Sequence, residues 1–412
     1  MKYNSNKYLK LLPENFSISS ETDLKNVEIA ALEILKDYPN LDELAAFDKQ
    51  LIDSNTSDMA LNLAIKLARS KAFVKGIDNP LRVSVTFAMY KENNRILPPG
   101  EHPNGENFLM VKLQQLEWLF GDNPNIDWEL LPVDDGCPEQ SGLIAEGILR
   151  KNKVKENVEV LFLANAIENK LPMAKSLKST NDSQKGGSIE YGMWFAAQKP
   201  CNYKHVIVYT DADLSTHLGQ TGLLLQPLHS KDKTVAIGSR RESNSVVIKK
   251  GVRNTRGKLF IYLWKRMLPE LNYLVDTQCG FKAFKRETIK AIINDMIEPK
   301  FAFDIELLLK AEILQKDSIA KVGIAWIDSE AESTTTDIQP YLPMLQSIAK
   351  MYHKYTGANK ESEQFSNFIL SLNTDQWGKL VDHVPDAIAD REPVEFATFN
   401  KVTVSHFENI LN

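Results

Sequence analysis

Apolar residues recur along this chain in two different rhythms, and the change from one to the other divides the sequence. Up to about residue 80 they return every three to four positions, as in residues 27–35 and 59–67, which is typical of amphipathic helices. From Leu81 onward, short apolar runs alternate with amphipathic stretches. The pattern predicts a helical N-terminal extension over residues 1–80, separate from the rest of the chain.

Six apolar runs in the second part have the length and the β-branched and aromatic content of buried strands. They are residues 81–87, 129–133, 158–163, 205–210, 234–237 and 319–326. Helical patterns separate these runs, which indicates a largely parallel sheet with right-handed crossovers. We therefore predict an α/β domain over residues 81–356 and, after it, a C-terminal extension over residues 357–412 with helical and strand-like pieces.

Two polar segments of the second part are predicted loops. Residues 97–105 are rich in proline and glycine, which indicates an insertion at the ligand edge of the sheet. Residues 328–338 are polar and low in complexity, with no apolar anchor between Asp328 and Asp337. We expect this second loop to be mobile and to become ordered when ligands bind.

Composition and charge narrow the class of protein. The apolar fraction of 43% and the charged fraction of 25% are ordinary for a soluble globular protein, and a net charge of −5 gives no pull toward nucleic acid. No apolar run has the roughly 18–20 residues needed to span a bilayer, and the three widely spaced cysteines fit reduced thiols. We expect a cytoplasmic protein without a transmembrane segment, with peripheral membrane attachment left open, and a homo-oligomer through the terminal extensions left open as well.

The most informative chemical feature is a pair of carboxylates at the end of one predicted strand. The run 205–210 is followed by Asp211 and Asp213, which point to the same side because successive side chains on a strand alternate. Open α/β sheets place their ligands at the carboxyl ends of strands, where such a pair can hold a hard divalent cation. That cation typically completes its shell with phosphate oxygens, so the pair indicates transfer from a diphosphate-bearing donor. A solvated turn is the alternative.

Polar groups follow two other predicted strands. Asp134 and Asp135 end the strand at 129–133, where a carboxylate can accept the imide hydrogen of uracil or guanine or bind ribose hydroxyls. A turn that caps the next helix is the alternative, because Asp favours such caps. The first strand runs into a polar turn that contains Tyr90 and Glu92.

Basic residues stand where they could meet phosphates. Lys185 precedes two glycines at a predicted helix start, a place suited to an anion, although a simple loop fits equally well. Arg240 and Arg241 follow the strand at 234–237, and Arg253 and Arg256 come shortly after. Guanidinium groups suit bidentate phosphate recognition, and the alternative is a solvated basic face.

Two acids interrupt an apolar stretch near residue 305. Asp304 and Glu306 lie within residues 301–309, where burial is costly unless a carboxylate is paired or used. Such a carboxylate could deprotonate an acceptor hydroxyl. The alternative is an Asp that caps the helix carrying the leucines that come after it.

Taken in order, these segments resemble the family 2 glycosyltransferases of GT-A fold, and within them the dolichyl-phosphate glucosyltransferases and mannosyltransferases. The most specific pieces are Asp-Ala-Asp-Leu at 211–214, Ile-Gly-Ser-Arg at 237–240, Asp-Thr-Gln-Cys-Gly-Phe-Lys at 276–282 and Phe-Asp-Ile-Glu-Leu-Leu at 303–308. The likeness covers roughly residues 81–355. It implies a GT-A, Rossmann-like fold and an inverting hexosyl transfer from a nucleotide diphosphate sugar, with a UDP-sugar such as UDP-glucose expected.

The resemblance also implies roles for individual residues. Asp304 matches the catalytic acid near the acceptor, Glu306 is its neighbour in the same motif, and Asp211 and Asp213 hold the diphosphate through Mg²⁺ or Mn²⁺. Residues implied to bind the nucleotide sugar are Tyr90, Glu92, Asp134, Asp135, Lys185, Asp211, Arg240 and Arg253. Two turns depart from the family pattern, since Gln184 replaces a glycine and Cys137 replaces a serine. Both departures leave the carboxylates in place, so we expect activity.

The acceptor and two competing functions stay open at this point. The acceptor is a soluble hydroxyl compound or a lipid phosphate, and the lack of an apolar membrane span favours the hydroxyl. A sugar-phosphate nucleotidyltransferase would want a glycine-rich loop after the first strand, but residues 88–94 contain no glycine. A catalytically silent scaffold that binds a nucleotide sugar would have no need of both Asp211 and Asp213.

Overall fold

The structure is a computed structural model that describes residues 3–54, 58–230, 232–248, 255–328, 340–357 and 359–412. The predicted architecture is confirmed: a mostly parallel sheet is flanked by helices, and both terminal regions are helical. The strands are β1 (Leu81–Met89), β2 (Ile126–Asp134), β3 (Leu161–Phe162), β4 (Lys204–Thr210), β5 (Val235–Ser239), β6 (Val246–Ile248), β7 (Phe281–Lys285), β8 (Ile319–Gly323) and β9 (Ala325–Ile327).

The α-helices cover both faces of the sheet and form the two terminal regions. They are α1 (Asn6–Leu9), α2 (Glu21–Asp37), α3 (Leu41–Asp53), α4 (Met59–Lys75), α5 (Phe108–Phe120), α6 (Ser141–Lys151), α7 (Leu163–Glu168), α8 (Gly186–Gln198), α9 (Thr221–Leu228), α10 (Thr255–Met267), α11 (Arg286–Ile292), α12 (Phe303–Leu314), α13 (Tyr341–Met351), α14 (Lys360–Ser371), α15 (Thr374–Asp382), α16 (Asp386–Ala389) and α17 (Val404–Leu411). Within the described residues, no helix is long and apolar enough to cross a membrane.

The main sheet has seven strands in the order β3-β2-β1-β4-β7-β5-β8. β7 runs antiparallel to both of its neighbours, β4 and β5, whereas the other pairs are parallel. A separate two-stranded parallel ribbon joins β6 to β9. Because β1, β2, β4 and β5 all run in one direction, their carboxyl ends meet at one edge of the sheet.

Most predicted strands are present, with three differences. The run at 158–163 forms only the short β3, and the run at 319–326 is divided between β8 and β9. β7 was not predicted, because its sequence Phe-Lys-Ala-Phe-Lys places two lysines in what is a buried strand. One of these two lysines, Lys282, forms an ion pair with a buried acid, Asp304.

The N-terminal helices do not stand apart from the domain, contrary to the pattern-based expectation. α4 is buried around most of its circumference and packs on α9. The backbone N–H of Gly222 donates to Ser70 Oγ at 2.9 Å, and a Cβ on Gly222 would lie 2.5 Å from the Ser70 carbonyl oxygen. α4 therefore belongs to the same hydrophobic core as the sheet, because it is apolar on more than one face.

The C-terminal region is helical, and residues 402–405, whose alternation indicates a strand, instead form the turn before α17 and its first two residues. They pack on α10 through a cluster of aromatic side chains. Tyr262 Oη donates to the carbonyl of Val402 at 2.6 Å, and Arg266 donates to the carbonyl of Phe396 at 2.7 Å. These buried hydrogen bonds tie the C-terminal helices to the α/β domain.

Candidate active site

Most of the residues singled out in the sequence meet at the carboxyl edge of the sheet. This results from strand direction, because each group comes at the end of a strand that runs the same way. The groups are Tyr90 and Glu92 after β1, Asp134 and Asp135 at the end of β2, Asp211 and Asp213 after β4, and Arg240 after β5. Lys185 comes just before α8, and Asp304 lies in the first turn of α12.

Asp211 forms an ion pair with Lys185, whose Nζ donates to Asp211 Oδ1. Burial raises the pKa of Asp211, but Lys185, together with Lys282 and Arg240, outweighs burial and holds this pKa below its ordinary value. The carboxylate lies directly against Gly280, where a Cβ would come within 2.2 Å of Oδ1. A side chain at position 280 would therefore displace the carboxylate, which explains the glycine.

Asp213 lies in the turn that comes after β4. Its Oδ1 accepts the backbone N–H of Ser215 at 3.0 Å, and its carbonyl accepts Lys112 Nζ at 2.7 Å. Burial and the neighbouring Asp211 carboxylate raise the pKa of Asp213. Burial also lowers the pKa of Lys112 to about 8. The two acids are thus close enough to interact, and both have basic residues beside them.

The carboxylates of Asp211 and Asp213 fit a divalent cation that shares its ligands with a substrate. Only one oxygen of each carboxylate has a hydrogen bond within the described part of the chain. Nowhere in the described part of the chain do three or more His, Cys, Asp or Glu side chains form a group able to hold a metal ion. Because Mg²⁺ usually binds one or two carboxylates plus substrate phosphates, this pair fits a cation completed by diphosphate oxygens rather than a structural metal.

Asp134 holds the turn between β2 and the next helix, α6, whereas Asp135 contacts the start of α8. Asp134 Oδ1 accepts the backbone N–H groups of Gly136 and Cys137 at 2.9 and 3.0 Å, and its Oδ2 accepts that of Gly142 at 2.7 Å. Asp135 accepts the backbone N–H of Lys185 at 2.8 Å, and burial raises its pKa. The contacts of Asp134 are those of the capping alternative, and nucleoside binding by either residue stays a prediction.

Asp134→Ala should lower the free energy of unfolding by about 2–4 kcal/mol, because it leaves backbone donors of a buried turn without their charged acceptor. Urea unfolding of the variant and the wild type measures this difference. Glu139→Ala, an exposed position in the same turn, is the matched control and should change stability little. Equal stability of Asp134→Ala and wild type would contradict the capping role.

Tyr90 and Glu92 have different surroundings. The Tyr90 side chain is 45% exposed beside the site. Glu92 is buried and forms an ion pair with Arg95 at 3.1 Å, and Arg95 also pairs with Glu106 at 3.0 Å. Burial raises the pKa of Glu92 to about 7. Of these two residues, Tyr90 is therefore the one whose side chain is accessible to a ligand.

Arg240 is held by Asp276 in a bidentate ion pair. Its Nε and Nη2 donate to the two carboxylate oxygens at 2.8 and 2.7 Å, and its backbone N–H donates to Oδ2 at 2.7 Å. Its guanidinium also lies over the Trp326 ring, 5.3 Å from the ring centre. The guanidinium of Arg240 is therefore already bound by Asp276 within the protein. Binding of a phosphate by Arg240 stays a prediction. Arg253 and most of residues 328–338 lie outside the described residues.

The two acids of α12 differ in position. Asp304 Oδ1 accepts hydrogen bonds from Tyr209 Oη and from Lys282 Nζ, the latter at 2.6 Å, and burial raises the pKa of Asp304 to about 8. Glu306 instead accepts the backbone N–H groups of Ile297 and Glu298, both at 2.8 Å. Asp304 therefore lies with the site, whereas Glu306 holds the segment before α12, and the catalytic role predicted for Glu306 has no support from its contacts.

Three buried residues of the site were missed in the sequence: Tyr209, Lys282 and Lys112. Tyr209 carried a usable signal, because it lies on β4 two residues before Asp211, a spacing that puts both side chains on one side. Lys282 carried a weaker one, a lysine between two phenylalanines of an unpredicted strand. Lys112 had no local signal, since it lies on α5, far from the motifs in sequence.

Comparison with known proteins supports the resemblance seen in the motifs. No family model matches the chain. The chain is 27% identical over 351 residues to a dolichyl-phosphate β-glucosyltransferase of Drosophila melanogaster. This match covers 82% of this chain and 93% of the relative. This chain is a homologue of glycosyltransferases. The human dolichyl-phosphate β-glucosyltransferase is 27% identical over 263 residues, covering 61% of this chain and 70% of its own length.

The predicted enzyme class, a glycosyltransferase, is thereby confirmed, and so is the resemblance to dolichyl-phosphate β-glucosyltransferases. Among solved structures, this glycosyltransferase overlaps with a Mycobacterium tuberculosis glucosyl-3-phosphoglycerate synthase in complex with Mn²⁺ and UDP. That overlap has a TM-score of 0.45 at 14% identity and covers 70% of this chain and 84% of the other.

Proposed function

We propose that this glycosyltransferase moves a glucosyl group from UDP-glucose to the phosphate of a polyprenyl lipid, with inversion at the anomeric carbon and with Mg²⁺ or Mn²⁺. The observation that carries the proposal is the 27% identity, along 82% of the chain, to a dolichyl-phosphate β-glucosyltransferase. The carboxylates of Asp211 and Asp213 could hold a divalent cation, and the lysines beside them, Lys185 and Lys112, add the positive charge that such a transfer needs.

On the donor side, Asp211 and Asp213 would hold the divalent cation together with the diphosphate. When bound, this cation supplies Lewis-acid neutralisation of the negative charge that builds on the departing UDP. Lys185 places its ammonium directly beside Asp211, and Asp276 fixes the guanidinium of Arg240 at the same edge of the sheet. These fixed charges favour the transition state because they are in place before the charge develops.

On the acceptor side, an oxygen of the acceptor attacks the anomeric carbon from the face opposite UDP. A new carbon–oxygen bond forms while the bond to the diphosphate breaks, and UDP leaves with the electron pair. A phosphate acceptor is already an anion and needs no proton removed, whereas a hydroxyl acceptor needs a base. The relatives named for dolichyl phosphate favour the phosphate, so we propose it over the soluble hydroxyl expected from the sequence, and we propose reaction at a membrane surface.

Transfer itself is the first test. Purified protein with UDP-[¹⁴C]glucose, Mn²⁺ and dolichyl phosphate in detergent should give a radioactive glucosyl lipid, and omission of the cation with added chelator should abolish the product. The same protein given free glucose or glycerol as an acceptor should give no product. A labelled hydroxyl product with no labelled lipid would overturn the proposed acceptor.

Asp304→Asn separates the two acceptor classes. It keeps the size of the side chain and removes the base, so transfer to a phosphate should fall only mildly, by less than about 10-fold, whereas transfer to a hydroxyl should fall by about 10²–10⁴-fold. The measurement is kcat with dolichyl phosphate for variant and wild type, beside UDP affinity, which should not change. A collapse of kcat with dolichyl phosphate would contradict the proposed acceptor role.

A further inference from the structure

A lysine lies fully buried in the middle of the main sheet. Lys282 is on β7, directly opposite Tyr209 on β4 and Ile237 on β5, and its side chain is 0% exposed. Its Nζ donates to Asp304 Oδ1 at 2.6 Å and to the carbonyl of Cys279, and it lies 5.1 Å from the centre of the Tyr209 ring. Burying an ammonium is costly unless it is paired, so the partner, Asp304, explains the lysine.

The pairing completes a pattern among three acids of the site. Asp211 has Lys185 as its partner, and Asp276 has Arg240. Asp304 has Lys282, so each of the three carboxylates has one cation. Without Lys282, Asp304 would keep the Tyr209 hydroxyl as a donor but, among the described residues, would have the charge of Lys185 and no ion-pair partner to compensate it. Such a charge beside the acceptor would repel a phosphate, whose own charge is negative.

We propose that Lys282 determines specificity for an anionic acceptor: it cancels the charge of Asp304 and orients its carboxylate so that a phosphate monoester can approach the donor. This inference rests on the proposed function. Lys282 is a positioning residue, because it acts through Asp304. Both hydrogen bonds that Asp304 receives from the described residues go to Oδ1, so Oδ2 is the oxygen left to face the acceptor.

Proton exchange within the pair does not change this conclusion. Burial raises the pKa of Asp304 to about 8 and lowers that of Lys282 to about 7. Lys185, Asp211, Asp276 and the Cys279 thiol also act on Lys282. The pair carries no net charge whether the proton is on the ammonium or on the carboxyl group. Between these two pKa values, from about pH 7 to about pH 8, the pair holds one proton, so an acceptor phosphate meets a neutral pair there.

The test is a set of three variants assayed with dolichyl phosphate. Lys282→Met keeps the length of the side chain and leaves Asp304 without its partner. Loss of the ammonium raises the pKa of Asp304 above its wild-type value of about 8, so the assay is run at about pH 9.5. There the KM for dolichyl phosphate should rise by about 10-fold or more, with the Kd for UDP and Mn²⁺ within about 2-fold of wild type. The double variant Lys282→Met/Asp304→Asn has neither charge and should bring this KM back toward that of the wild type, whose pair is neutral as well.

The pH profile adds a readout that loss of packing would not produce. In Lys282→Met, lowering the pH to about 6.5 protonates Asp304 and should lower the KM again, whereas the double variant should show no such recovery. Lys265→Met is the matched control, because Lys265 is also fully buried but donates to the carbonyl of Asn272 rather than to an acid. It should leave the KM for dolichyl phosphate unchanged at both pH values.

The outcomes separate this inference from the proposed function. No transfer to dolichyl phosphate by the wild type would overturn the proposed function and the inference with it. Wild-type transfer with an unchanged KM in Lys282→Met, or a double variant no better than the single one, would overturn the inference alone. If Lys282→Met does not fold, the double variant decides, since it removes both charges: retained use of dolichyl phosphate supports the inference, and loss of it with intact UDP binding overturns it.

Discussion

Asp213→Ala should abolish metal-dependent binding of UDP-glucose and reduce glucosyl transfer by at least about 10²–10³-fold, the scale of losing one charge-stabilising group at a reacting centre. The variant removes one of the two carboxylates after β4 and leaves the cation with Asp211, which is already paired with Lys185. We expect the fold to survive, because Lys112 is bonded to the carbonyl of Asp213 and not to its carboxylate.

Calorimetry measures this effect directly, as the Kd of UDP with and without Mn²⁺. The wild type should bind UDP more tightly with the metal, and Asp213→Ala should show the same weak binding in both conditions. Asp127→Ala is the matched control, since Asp127 is a half-exposed aspartate at the start of β2, on the opposite edge of the sheet. An unchanged, metal-dependent affinity in Asp213→Ala would remove the metal assignment.

Arg240→Lys should be the second most damaging change, although it keeps the charge. The guanidinium binds both oxygens of Asp276, and an ammonium cannot reproduce this planar fork. Asp276 is 3% exposed and would keep only part of its compensation. We expect the free energy of unfolding to fall by about 1–3 kcal/mol and kcat/KM to fall by about 10²-fold, because Asp276 begins the segment that carries Gly280 and Lys282.

Arg241→Lys is the control for this variant, because Arg241 is the next residue and is exposed. Urea unfolding and steady-state kinetics with UDP-glucose should show no change for Arg241→Lys. Kinetics and stability of Arg240→Lys that both match the wild type would show that the fork is dispensable. Loss of stability without loss of kcat/KM would limit Arg240 to holding Asp276.

The carboxylate pair shows how far local sequence reaches. Asp211 and Asp213 were predicted at a strand end because a buried run and its abrupt polar end are both local signals. Their placement beside Lys185 was also predictable in outline, since parallel strands and the helices after them bring their ends together. The motif resemblance then named the enzyme class before any geometry was known.

The contacts that decide what each charged group does were not predictable in the same way. Asp134 and Glu306 had the right residue type and motif position, yet each is used by backbone N–H groups of its own neighbourhood. Arg240 was expected to meet a phosphate, and its fork is occupied by Asp276. A motif specifies which residue is present, whereas its partner depends on distances across the fold.

The sequence by itself determined the α/β architecture, the helical ends, the strand-end carboxylates and the likeness to glycosyltransferases, because periodicity, turn residues and motifs are properties of neighbours along the chain. Only the tertiary structure decided that β7 is inserted antiparallel between β4 and β5 and that Lys282 thereby meets Asp304. The physical reason is that a buried charge is tolerated only where a partner from elsewhere in the chain compensates it. That compensation is a property of the assembled fold.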